Sequence, residues 1–138
     1  MAGAAPHLPT RWRRSALAGG NTCVTIVLVP VLTEFLDERG RSPFARWLRD
    51  LTSPAALKVN TALGRLEAGN TSALKAVGRG VSELRVDFGP GYRVYLGQDG
   101  GALVVLLGGG TKARQSDDVA EAQARWAAYR ARKRGGEA

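Results

Sequence analysis

Two short runs near the middle of the chain carry the side chains best suited to chemistry on a phosphate. In residues 83–88 and 92–96 apolar and polar residues alternate, and the polar set includes Arg85, Asp87, Arg93 and Tyr95. Such alternation predicts two β-strands, each with one apolar face. Arginine grips phosphate through paired hydrogen bonds, and a tyrosine ring can stack on an unpaired base. These residue types therefore point to RNA.

The turn between the two runs decides whether these side chains share a face. If residues 89–91 form a three-residue loop, Asp87 lies opposite Arg93, and Arg85 lies opposite Tyr95. All four then project from one side of an antiparallel pair, away from the apolar side. That side could bind RNA. It could equally be a solvated face, with an Asp87–Arg93 ion pair worth under about 1 kcal/mol.

Patterns before these runs indicate the elements that support them. A first strand is expected within residues 24–36, where β-branched residues cluster. The pairs Ser42-Pro43 and Ser53-Pro54 are helix-start signals, and apolar residues at helical spacing follow each. The second helix is expected to end at residues 69–70, Gly-Asn. The short connection predicts that the two helices pack as an antiparallel hairpin.

The rest of the chain predicts a loop, a strand and a final helix. Residues 71–80 are expected to form a loop that carries Lys75 and Arg79. Residues 102–107 are continuously apolar and predict a third antiparallel strand, which the three glycines that follow would end. Residues 116–134 show helical spacing of apolar residues. The predicted class is α+β, with the order β-α-α-β-β-β, an antiparallel sheet and a C-terminal helix.

Composition and charge narrow the function classes. The 138 residues carry 20 Lys plus Arg against 12 Asp plus Glu, a net charge of +8, which favours a polyanionic partner. Cys23 is the one cysteine, so no intramolecular disulfide can form, as in cytoplasmic proteins. With His7 it cannot complete a zinc site. No apolar run reaches the roughly 20 residues of a membrane span. Residues 1–23 predict a disordered basic tail, and residues 24–138 a single domain.

Two familiar catalytic motifs are excluded. The stretch Gly-Gly-Gly-Thr-Lys at residues 108–112 lacks the spacing and the Lys-Ser/Thr order of a phosphate-binding loop. The chain has no Gly-x-Ser-x-Gly elbow, and its one histidine lies in the tail, which argues against a Ser-His hydrolase.

Four segments together resemble the RelE/ParE toxin superfamily, and specifically its HigB-like branch of addiction module killer proteins. They are RSPFARWLRDL (41–51), GRLEAGN (64–70), VGRGVSELRVDFGPGYRVYL (77–96) and LVVLLGGGTKARQSDDVAEA (103–122). The resemblance implies a RelE-like fold and the toxin of a type II toxin–antitoxin pair. It implies binding at the ribosome and cleavage of mRNA, and neutralisation by a helix-turn-helix antitoxin. No cofactor, metal or membrane is implied.

The resemblance also assigns roles to individual residues. It carries catalytic roles to Arg85, Arg93 and Lys112, and makes Lys75 and Arg79 weaker candidates for RNA contact; Tyr95 and Arg114 join the RNA-binding set. Two departures stand out: Thr111 occupies a position that is Asp in many of these toxins, and residues 115–118 lack the Tyr of some relatives.

RNA cleavage without a metal ion would require three chemical roles from these residues. The ribose 2′-OH attacks the adjacent phosphate, which needs a proton acceptor, a proton donor and positive charge on the transition state. Arg85 and Arg93 can supply charge but are poor bases, because arginine stays protonated. Lys112 and Asp87 remain as candidate acceptors. Three alternatives stay open: a gyrase-directed toxin of the ParE type, a non-enzymatic RNA-binding module, and a decayed toxin that still binds its antitoxin.

Overall fold

The computed structural model describes residues 30–100 and 102–135. The predicted tail at residues 1–23, and the part of the first-strand prediction before residue 30, lie outside the described residues. Strand β1 (Val31–Glu34) is followed by helices α1 (Pro43–Arg49) and α2 (Ser53–Glu67). Four strands come next, and helix α3 (Gln115–Gly135) follows a short 3-10 turn; the strands are β2 (Leu74–Gly78), β3 (Val81–Val86), β4 (Tyr92–Asp99) and β5 (Leu103–Thr111).

The strands form one five-stranded sheet in the order β1-β5-β4-β3-β2. Strands β2 to β5 pair antiparallel, as predicted for the three strands that the sequence analysis placed there. Strand β1 pairs with β5 in parallel. The α+β class is therefore confirmed, while the expectation of a purely antiparallel sheet is wrong. Helices α1 and α2 carry the chain from β1, at one edge of the sheet, to β2 at the other edge. The following strands then bring β5 alongside β1 in the same direction.

The helices begin where side-chain caps satisfy free backbone N–H groups. The Ser42 hydroxyl accepts a hydrogen bond from the Ala45 N–H at 3.0 Å, with Pro43 in the first turn, as predicted. The second helix starts one residue earlier than its motif suggested: Thr52 is the cap, and its hydroxyl accepts from the Ala55 N–H at 3.4 Å.

The sheet is covered on both faces. The α1–α2 face buries one apolar cluster, which includes Phe44, Val59 and Leu66 from the helices and Leu84 and Val94 from the strands. Helix α3 covers the other face with a second cluster, built on Trp126, Ala122, Tyr95, Val81 and Leu107. The result is a three-layer arrangement of helices, sheet and helix.

Two further predictions about elements are corrected. Residues 71–80 are not a loop, because Leu74–Gly78 pairs with β3 as an edge strand. The three glycines do not end β5, which continues to Thr111. Glycine is needed there because large groups press on the strand: a Cβ on Gly109 would overlap the Trp47 ring, and one on Gly110 would overlap the Asp118 carboxylate. In the part of the chain that the structure describes, no helix is long and apolar enough to cross a membrane.

Candidate functional site

Arg85 and Arg93 lie directly opposite each other on β3 and β4. The predicted register was wrong by two residues, because the connection spans residues 87–91 and the last pair is Val86–Tyr92. Directly paired residues project from the same side, so the two arginines still share a face. Asp87 lies beyond the end of β3 and is exposed, and the expected Asp87–Arg93 ion pair is not formed.

Arg93 pairs instead with Glu83, which is completely buried. The Arg93 Nε donates to Glu83 Oε2 at 3.3 Å. The Gln115 side-chain amide, at the start of α3, donates to both Glu83 oxygens at 3.0 and 2.7 Å. Since both carboxylate oxygens are occupied, the carboxylate is fixed in place and holds Arg93 by one edge of its guanidinium.

The outer edge of the Arg93 guanidinium lies beside Lys112. A Cβ built on Gly91 would lie 3.6 Å from Arg93 Nη1 and 3.8 Å from Lys112 Cβ, so both residues flank this glycine. The Lys112 N–H donates to the Gly91 carbonyl at 3.0 Å, which ties the end of β5 to the β3–β4 connection. We call Arg85, Arg93 and Lys112 the basic cluster. It carries three positive charges over one buried carboxylate.

Arg114 lies on the flank of the basic cluster. Its guanidinium is 3.8 Å from the Asp117 carboxylate and 3.7 Å from that of Asp118, and its side chain is 60% exposed. Burial raises the pKa of Asp118, and the nearby Arg114 opposes that rise. Two carboxylates thus partly neutralise Arg114, whereas Arg85 and Lys112 form no ion pair with the described residues.

Tyr95 is not available to a base. Its residue is only 1% exposed because α3 lies over it, and the phenol O–H has no hydrogen-bond partner among the described residues. Burial, and then the charges of Glu83 and Asp118, raise the pKa of Tyr95 to about 12. The expectation that Tyr95 stacks on RNA from an open sheet face is therefore wrong for this structure. Near the predicted site, the exposed side chains of this face are Arg85 and Lys112.

Lys75 and Arg79 lie on the neighbouring edge of the sheet. Lys75 is exposed on β2 and pairs with Glu83 in register, which places it on the same face as Arg85. Arg79 occupies the β2–β3 turn with a positive φ of 56°. Lys75 therefore borders the basic cluster as part of the sheet, whereas Arg79 lies in the turn at the opposite end of β3.

Glu83 and Gln115 are the site residues that sequence analysis missed. The alternation of β3 already placed Glu83 on the face of Arg85, but nothing in the pattern signalled its burial. Across residues 30–100 and 102–135, no three His, Cys, Asp or Glu side chains lie close enough together to hold a metal ion.

No family model matches the chain. A protein of Haemophilus influenzae, described as uncharacterized, is 44% identical over 81 residues; the match covers 58% of this chain and 82% of that protein. The chain belongs to the same family. Since that description names no activity, partner or substrate, function has to be argued from the basic cluster.

Proposed function

We propose that the chain is the toxin of a type II toxin–antitoxin pair and cleaves mRNA at the ribosome, in the cytoplasm. The proposal rests on the resemblance of residues 41–122 to the HigB-like branch of the RelE/ParE superfamily. The observation that carries it is the basic cluster, in which Arg93 is oriented by a buried carboxylate and its free edge lies beside Lys112. A cognate helix-turn-helix antitoxin is the proposed neutralising partner.

The cluster suits a phosphoryl transition state. As the 2′-OH attacks, negative charge builds on the non-bridging oxygens, and Arg85 and Arg93 provide fixed donors for it. Glu83 acts as a positioning residue, because it holds Arg93 through Nε and leaves the remaining N–H groups for phosphate.

Two groups remain for the proton transfers. Asp87 forms no ion pair with the described residues, so its carboxylate is free to accept the proton of the 2′-OH. The Lys112 ammonium can donate a proton to the 5′ oxygen that leaves. The bond from phosphorus to that oxygen breaks as the cyclic phosphate forms.

The test is inducible expression in a bacterium, with mapping of mRNA 5′ ends and counting of viable cells. Arg85→Ala and Lys112→Ala change exposed side chains and leave the Glu83–Arg93 pair intact. We expect each to lower cleavage by about 100-fold, as loss of one transition-state donor commonly does. Arg49→Ala, an exposed arginine at the end of α1, is the matched control and should cleave like the wild type.

Other outcomes separate the competing functions. Growth arrest with DNA damage and intact mRNA would point to a gyrase-directed toxin. RNA binding with a steep salt dependence and no cleavage would point to a binding module. A wild-type protein that neither arrests growth nor binds RNA contradicts the proposal.

A further inference from the structure

A cavity opens on β3 and β4 at the ends of these strands that lie away from the basic cluster. It has a volume of about 630 Å³ and lies between the far ends of β3 and β4 and the last turns of α3. Its lining includes Gly80, Asp99, Trp126, Tyr129, Arg130 and Arg134. We call it the distal pocket. Its size is in the range that holds a small organic group.

The floor of the distal pocket is aromatic. The Trp126 and Tyr129 rings are stacked, with centroids 5.1 Å apart and planes 7° apart. Trp126 is 4% exposed, and its indole N–H has no hydrogen-bond partner among the described residues. Gly80 presents no side chain there, since a Cβ would lie 2.6 Å from that nitrogen. Because Trp126 is covered by Tyr129 and Gly97, a flat ring in the pocket would stack on the outer face of the Tyr129 ring.

The rim of the distal pocket carries a net positive charge, with Arg130, Lys133 and Arg134 against Asp99. Asp99 is already engaged, because its carboxylate accepts hydrogen bonds from Tyr129 Oη and Lys133 Nζ, both at 2.6 Å. Burial raises the pKa of Asp99, but these two hydrogen bonds outweigh it and keep that pKa below its usual value. Arg130 and Arg134 are exposed one helical turn apart and form no ion pair within the described residues. Two adjacent guanidiniums suit a phosphate.

A line of basic residues connects the two ends. It leaves the basic cluster at Arg85, passes Lys75 on β2, and reaches Arg79 in the turn next to Gly80 of the distal pocket. From Arg85 to Val81 the strand covers about 13 Å, at roughly 3.3 Å per residue. Arg79 holds a positive φ of 56°, a backbone conformation that glycine or asparagine adopts at lower cost.

We propose that the distal pocket is a nucleotide subsite for single-stranded RNA whose backbone runs from the basic cluster along Arg85, Lys75 and Arg79. The base lies against the Trp126–Tyr129 floor, and the adjoining phosphate is held by Arg130 and Arg134. The proposal rests on the proposed function, because it extends the same RNA beyond the cleaved bond. RNA is favoured over an acidic peptide because aromatic floor, paired guanidiniums and a continuous basic line are the elements of single-strand recognition.

The experiment measures binding of fluorescently labelled 2′-O-methyl RNA, which cannot be cleaved, by anisotropy over a range of salt concentrations. The test variant is Arg130→Ala/Arg134→Ala, and the control is Arg49→Ala/Arg65→Ala, which removes two exposed arginines from the opposite layer. Both variants have the same net charge, and thermal unfolding checks that both are folded.

For a ten-nucleotide RNA we expect the test variant to bind at least about 10-fold more weakly than the control. Its salt slope should be smaller by about 0.7, because the two arginines hold one phosphate and about 0.7 is lost per phosphate contact on a single strand. A two-nucleotide RNA is too short to span the roughly 13 Å between the sites. It gains nothing from occupying the second site, so the difference between the two variants should shrink.

Three results would overturn the subsite. If the test and control variants bind the longer RNA equally while Arg85→Ala binds it more weakly, the distal pocket is not a subsite and the proposed function stands. If the test variant keeps RNA binding but escapes the antitoxin, the pocket is a peptide site. If the wild type binds no RNA of either length, the proposed function itself fails.

Discussion

Glu83 is the residue on which the geometry of the basic cluster depends. A fully buried carboxylate is costly unless it is paired and hydrogen-bonded, and here Arg93 and Gln115 occupy both of its oxygens. Removing Arg93 would leave that charge buried with only an amide partner. A variant at Arg93 would therefore combine loss of the proposed phosphate contact with loss of stability, whereas variants at Arg85 and Lys112 test the proposed chemistry alone.

Glu83→Gln tests this role at the level of a single residue. The substitution keeps the size of the side chain but leaves Arg93, whose side chain is 11% exposed, without its counter-charge. We expect the free energy of unfolding to fall by about 3 kcal/mol, as when one partner of a buried pair is removed. Urea unfolding at neutral pH measures it.

The matched control is Asp117→Asn, which removes a 76% exposed carboxylate that lies 3.8 Å from the 60% exposed side chain of Arg114. An exposed pair contributes under about 1 kcal/mol, so this variant should unfold close to the wild type. Equal losses in the two variants would show that Glu83 has no special structural role.

At the scale of elements, the β2–β3 hairpin combines strain with charge. Its two turn residues, Arg79 and Gly80, both have positive φ, at 56° and 84°. Two-residue hairpin turns favour this geometry because it matches the twist of the strands, and they select Asn and Gly. An arginine at the first position is locally unfavourable, which is consistent with a functional reason for it.

Arg79→Asn separates the two effects. Asparagine tolerates the left-handed conformation, so we expect stability to rise by up to about 1 kcal/mol. Loss of the cation should at the same time weaken RNA binding several-fold. Thermal unfolding and anisotropy on the same preparation measure both quantities, and Arg65→Ala controls for the change in net charge. Unchanged binding would remove Arg79 from the RNA path.

Sequence analysis identified the elements that have a long periodic pattern of apolar residues or a clear helix-capping residue. All three helices, the cap at Ser42 and the apolar faces of β3 and β4 follow from periodicity alone. Strand β2 was missed because a short edge strand with exposed Lys75 and Ala76 shows no alternation. The register was missed because loop length cannot be deduced from Gly-Pro-Gly, and two further residues join that connection.

At the scale of the whole molecule, helix α3 determines which part of the polar face of the sheet is accessible to a ligand. The amphipathic pattern of residues 116–134 predicts that the last helix buries one face, but it does not say which surface receives it. Because α3 packs over Tyr95 and Val81, it closes the middle of the polar face and leaves an opening at each end of the helix. Arg85 and Arg93 could be assigned from sequence, whereas the burial of Tyr95 and Glu83 required the position of α3.

The glycine-rich end of β5 is where the three layers meet. The Trp47 side chain of α1 packs on Gly109 from one side, while Asp118 and Arg125 of α3 approach Gly110 and Gly108. Trp47 cannot move freely, because its ring centroid lies 6.0 Å from that of Phe44 and 6.2 Å from that of Tyr92. A change of volume here is therefore transmitted to α1 and to the strand that carries Arg93.

Gly109→Ala should consequently destabilise the whole molecule. The added methyl overlaps the Trp47 ring, and overpacking of this kind costs about 1–3 kcal/mol. Gly64→Ala is the matched control: it adds the same methyl within α2, where nothing lies within 4 Å, and should stabilise by about 0.5–1 kcal/mol. Urea unfolding followed by tryptophan fluorescence compares the two. If both substitutions shift the midpoint in the same direction, the glycines of β5 are not required by the packing of the layers, and the close approach of α1 to this strand does not contribute to stability.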